Sequence, residues 1–304
     1  AVHTIPAEGF WGGNLTVYER VVEPRHSGDE RAPLPPLDVN ASVVFDDSLE
    51  LLGMTHAPGP WAAGQATGTV LYWRVLRQPQ RQYKLIFHIV DESGALVAGF
   101  DKLPLFGAPP TTDWQPGEEI ADFVPVALPP IWEAPTGLRY ELFLVDAETS
   151  EPVAMQATNG AVLAGPLYLD AEPLRAADEP LVLVTPHAAD PATLSLGGFA
   201  LAPRQLFTGS PPRLRLLVES CTCPIDLTIQ LLDAVTRDPL WQTDTRVEQA
   251  GPHDITIDVQ PPLPPGWLPL HLSARQGERA LFHLDDAGHV IQESVPLSPL
   301  FRAP

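Results

Sequence analysis

Proline punctuates this chain from end to end, in runs such as "APLPPLD", "HAPGPW", "GAPP", "ALPPIW" and "QPPLPPGW". Inside a helix, proline removes a backbone donor and clashes with the preceding turn; inside a central strand, it breaks the ladder. With 36 prolines against 22 glycines, the sequence argues against long helices. Many short strands joined by proline-bearing loops satisfy both the prolines and the apolar runs between them. At 304 residues the chain is long enough for about two domains, each able to bury its own core.

The formal net charge of −20 argues against a nucleic-acid partner, because affinity for phosphates comes from lysine and arginine. It also argues against adsorption to an anionic membrane. Lys84 and Lys102 are the only lysines, so almost all positive charge is arginine. No stretch reaches the ~18 apolar residues that a bilayer span needs, so no membrane span is expected.

Residues 1–38 read as an N-terminal strand, "NLTVYERVV", followed by a polar proline-rich arm. Leu15, Val17, Tyr18 and Val21 are its candidate pairing residues. Residues 39–170 carry nine strand-like runs, including "GTVLYWRVL", "YKLIFHIVD", "IADFVPVAL", "LRYELFLVD" and "AVLAGPLYL". Their spacing is that of an antiparallel sandwich. In "TVLYWRV", Leu71, Trp73 and Val75 share one face, which places Trp73 in the core. Residues 171–180 read as a linker, and residues 181–304 as a second sandwich.

The second half repeats the first in order. "SLELLGM" resembles "TLSLGGF", "YKLIFHIVD" resembles "IDLTIQLLD", and "SEPVAMQATNGAVLAGPLYL" resembles "GERALFHLDDAGHVIQESVPL". The first copy alone holds an insertion, "FDKLPLFGAPPTTDWQPGEE" (Phe100 to Glu119). The expected fold is all-β: two tandem antiparallel sandwiches of the Ig-like or jelly-roll-like kind.

The succession from "LELLGM" through "PTTDWQPGEEI" to "AVLAGPLYL" resembles sandwich domains common in Chloroflexota-type bacteria. These often lie C-terminal to membrane glycosyltransferases of the mannosyltransferase kind, or occur in exported proteins. The motif that carries the resemblance is Pro110-Thr111-Thr112-Asp113-Trp114-Gln115-Pro116-Gly117-Glu118. The resemblance implies an extracytoplasmic module, at the cell surface or secreted. It brings no catalytic residues, and the transferase portion is not in this sequence.

The residues themselves show no catalytic motif. No GxSxG is present, and adjacent acids such as Asp46/Asp47, Glu118/Glu119 and Asp285/Asp286 read as solvated turns. Trp114, with Asp113 and Glu118 beside it, and Trp267 lie in loops rich in proline and glycine. Such tryptophans serve either as glycan-binding platforms or as plugs that close a sandwich end, and the sequence leaves both open. Cys221 and Cys223 are too few to close a zinc site but are placed to form a disulfide with each other. No metal site is expected apart from calcium, for which "VFDDSLE" and "DAETSE" are candidate oxygen donors. The expected role is non-enzymatic: a structural or assembly protein that meets protein partners or its own copies, with carbohydrate binding as the alternative.

Overall fold

The computed structural model describes residues 2–7, 13–18, 34–175, 177, 179–204, 206, 211–259, 263–284 and 288–302. Strands β1 (Val2–Ala7) and β2 (Gly13–Tyr18) pair antiparallel and form a two-stranded sheet of their own. The first sandwich contains β3 (Val39–Phe45), β4 (Leu49–His56), β5 (Trp61–Ala62), β6 (Ala66–Val75), β7 (Tyr83–Asp91) and β8 (Leu96–Gly99). It continues with β9 (Glu119–Ala127), β10 (Leu138–Asp146), β11 (Met155–Ala157), β12 (Val162–Leu163), β13 (Leu167–Asp170) and β14 (Leu174–Arg175). The second contains β15 (Leu181–Val184), β16 (Thr193–Ala202), β17 (Arg213–Cys221), β18 (Ile225–Leu232) and β19 (Pro239–Val247). It ends with β20 (Gly251–Thr256), β21 (Gly266–Gln276), β22 (Arg279–Leu284), β23 (Val290–Gln292) and β24 (Val295–Arg302).

The fold is all-β, as the proline distribution predicts. The first sandwich packs a four-stranded sheet, β13-β10-β7-β8, on a six-stranded sheet, β12-β11-β3-β4-β6-β9. The second repeats this order strand for strand: β24-β21-β18-β19 faces β23-β22-β15-β16-β17-β20. In the second copy the two sheets are joined at a corner, where β21 turns into β22 and Gln276 pairs with Arg279. The first copy keeps only a single bridge there, Val145 with Pro152. Even the irregularities repeat. The β4–β6 ladder skips a residue between Leu51 and Gly53, and the β16–β17 ladder does so between Leu196 and Gly198.

Period-2 alternation builds both cores. In β6, Leu71, Trp73 and Val75 are buried while Tyr72 and Arg74 lie toward solvent. In β17, Leu214, Leu216 and Val218 do the same. One buried apolar cluster runs from Val43 to Leu174; the other gathers Leu181 to Leu300 together with Ile131. The first is rich in aromatic rings, among them Phe45, Trp61, Trp73, Tyr83, Phe87 and Tyr140. The second is almost wholly leucine, isoleucine, valine and alanine.

Two boundaries and one pairing differ from those expected. "AVLAGPLYL" is two strands in different sheets, β12 and β13, because Gly165 turns at φ 81° and Pro166 has no N–H for a ladder. The segment read as a linker begins inside the first sandwich. There β14 pairs with β5 in parallel, and Leu174 is buried in the first core. Finally, the N-terminal strand has a partner that its own pattern did not reveal. Leu15 pairs with Ile5, Val17 with His3 and Tyr18 with Val2, while Val21 lies outside the described residues. Among the described residues no helix is long and apolar enough to cross a membrane.

Candidate functional site

The insertion around Trp114 folds as a structural corner. The Trp114 ring is 1% exposed and belongs to the first core, and its Nε1 donates to the Pro109 carbonyl at 3.3 Å. Of the two roles left open for Trp114, platform or plug, the burial fits the plug: a ring without a free face offers nothing to a sugar. Asp113 faces solvent, and Glu118 Oε2 accepts the Gln115 N–H at 2.8 Å, which closes the Pro116–Gly117 turn. Thr111 stitches the loop to the sheet. Its Oγ1 accepts the Tyr83 N–H at 2.9 Å and donates to the Arg81 carbonyl at 3.1 Å. Trp61 and Trp132 are buried as well.

Trp267 has a different setting. It is only partly buried and stands where the two sandwiches meet, its ring 5.0 Å from that of Phe301. The outward side chains of β7 and β10 face those of β21 and β24 across a cleft of about 380 Å³. Trp132, Trp267, His88, His271 and Glu141 line it, with Pro269 and Pro296 on the second-copy side. This is the size and make-up of a small-molecule pocket, apolar walls with a few polar groups. The Trp132 Nε1–H is buried without a hydrogen-bond partner. Burial lowers the His271 pKa to about 4, with Arg237 adding a smaller push, so the imidazole is neutral near pH 7. Its Nδ1 lies 3.0 Å from Ser294 Oγ.

Arg204 clamps the sandwiches to each other beside this cleft. From the second copy, its guanidinium binds Asp91 directly, takes Ser93 Oγ at 3.0 Å, and pairs with Glu133 at 2.6 Å. Asp91 Oδ1 meanwhile accepts the Ser93 and Ala95 N–H groups of the β7–β8 hairpin. One carboxylate thus serves the hairpin turn and the junction together.

The remaining sequence candidates are separate from the cleft. Cys221 and Cys223 form a disulfide at the turn from β17 to β18, with Cα atoms 5.1 Å apart. The two acidic loops read as calcium donors converge, but on a cation already supplied by the chain. Arg81 pairs with Asp46 at 3.0 Å and with Asp146 at 3.6 Å. Asp146 Oδ1 also accepts the N–H groups of Glu148 and Thr149.

One site went unread in the sequence. In β9, Ile120, Asp122, Val124 and Val126 point inward, so a carboxylate occupies a core position. Its partner is Lys102, one of the two lysines, which the insertion carries into the same core. The alternating parity of "IADFVPV" was the available signal. No family model matches the chain, and no curated protein matches it.

Proposed function

We propose that the chain is a non-enzymatic structural or assembly protein that works outside the cytoplasm and engages protein partners, its own copies among them, through its N-terminal arm. The observation that carries this reading is the β1–β2 sheet. This sheet lies beside β9, the edge strand of the first sandwich, without pairing to it among the described residues, and a two-stranded sheet is marginal in water until it joins a larger one. Its strand edges present unpaired backbone groups of the kind used in strand addition. The Cys221–Cys223 disulfide supports an oxidising compartment. Deleting residues 1–37 is the test. The full chain is expected to sediment as an oligomer at micromolar concentration, and the shortened chain as a monomer with the same circular dichroism spectrum. If the two sediment alike, the arm does not drive assembly.

A second reading, carbohydrate binding, is favoured by the cleft. A partly exposed tryptophan beside Glu141 and two imidazoles suits a sugar ring, with its apolar face and hydroxyl rim. Trp267→Ala is expected to weaken glycan binding at least tenfold. A glycan array that retains no ligand at millimolar concentration counts against this reading.

A further inference from the structure

Lys102 and Asp122 lie on opposite sheets of the first sandwich. Lys102 is tied to the four-stranded sheet by reciprocal backbone hydrogen bonds with Leu85, at 2.7 and 2.9 Å. Asp122 belongs to β9 of the six-stranded sheet, in register with Leu71. Their side chains are 4% and 1% exposed, and Nζ is in direct contact with Oδ1. The turn that follows Lys102 folds over the pair. Leu105 and Phe106 both hold left-handed backbone angles, φ 51° and 55°, a conformation that costs energy outside glycine. This turn aims the Leu105 N–H at Asp122 Oδ1, at 2.9 Å, and sets the Phe106 ring 4.5 Å from Nζ. The other carboxylate oxygen, Oδ2, is buried with no hydrogen-bond partner.

A buried ion pair with an orphaned oxygen is a costly arrangement, since each unmet polar atom there keeps its full desolvation penalty. We infer that Lys102 and Asp122 condense to an intramolecular isopeptide bond, covalently joining the two sheets. The first step moves a proton from the ammonium to the carboxylate, leaving a neutral amine and a carboxylic acid. Burial favours this transfer, pushing the Lys102 pKa down and the Asp122 pKa up. The amine nitrogen then attacks Cγ. Negative charge develops on Oδ1, where the Leu105 N–H already points, as an oxyanion donor does. Nζ delivers the carboxyl proton to Oδ1, the oxygen it touches; in the tetrahedral intermediate that proton passes to Oδ2, which takes a second one from the amine and leaves as water. The N–Cγ bond forms, the Cγ–Oδ2 bond breaks, and no oxidant or co-reactant takes part. The leaving atom is the one without a partner, and the carbonyl that remains keeps the Leu105 hydrogen bond.

The second copy lacks the insertion that supplies Lys102, so the cross-link belongs to the first sandwich alone. The inference is independent of the assembly reading. It is tested by the intact mass of the purified full chain with its cysteines reduced. The expected mass is one water below that of the sequence, and a tryptic digest yields a branched peptide joining Lys102 to the segment that holds Asp122. Lys102→Arg is expected to restore the full mass. A wild-type chain of full mass, or a water deficit that maps to other residues, overturns the proposal. Because the wild-type protein alone decides, the outcome does not depend on whether the variant folds.

Discussion

His271 stands in the cleft with its imidazole held neutral, and the pH dependence of folding follows from that. Its pKa is about 4 in the folded chain, against 6.5 for a free histidine. Above pH 6.5 both folded and unfolded chains leave it uncharged, and its contribution is present in full. As pH falls below 6.5, the unfolded chain takes up a proton that the folded chain refuses. Stability then declines until about pH 4, where the folded chain takes it too. The loss amounts to roughly 2–3 kcal/mol after allowance for the ring's partial contact with solvent. Urea titrations at pH 7.5 and 4.5 check this, with His271→Gln expected to flatten the difference by that amount. An unchanged difference would rule the assignment out. At this scale sequence parity reads well within strands and poorly outside them. Trp73 declared its burial through Leu71 and Val75 on either side, whereas Trp114, in a loop, had no period to place it. Asp122 was legible by the same parity, in a position where a carboxylate looks like a misfit.

Strands were the most legible elements, because alternation and turn residues bound them on both sides. "YKLIFHIVD" and "LRYELFLVD" coincide with β7 and β10. What escaped were pieces too short for a period: the two-residue β5–β14 pairing, and β1, whose partner is visible only once the chain reverses. The repeated bulge gives an element-scale prediction. At Gly53, φ is 153° and an added Cβ would stand 2.3 Å from the Val39 carbonyl oxygen. At Gly198, its counterpart, nothing lies within 4 Å. Gly53→Ala is expected to cost roughly 2–4 kcal/mol by denaturant titration, and Gly198→Ala under about 1 kcal/mol. Equal costs would show that the bulge imposes one requirement on both copies, contrary to the packing seen here.

The whole molecule is two sandwiches of one topology, joined among the described residues by the Arg204 clamp beside an apolar cleft. Arg204 is 14% exposed and Asp91 1%, so the pair is shielded from screening. Arg204→Ala is expected to cost about 3 kcal/mol of junction stability and to split one calorimetric transition into two. A single transition at the wild-type midpoint would assign the coupling elsewhere. The tandem organisation was legible through the order of similar segments; the cleft was not, because it depends on how two outer sheet faces meet. The difference between the two cores bears on synthesis. Neighbouring domains with the same strand order risk exchanging strands while a nascent chain emerges, and misassembly of this kind traps tandem proteins. A strand bearing Trp73 or Tyr140 does not fit a space shaped for Val218 or Leu270, their counterparts by register, and the reverse swap leaves a void where a ring belongs. The aromatic and aliphatic interiors therefore act as a proofreading code, sending each strand of the duplicated fold back to its own half.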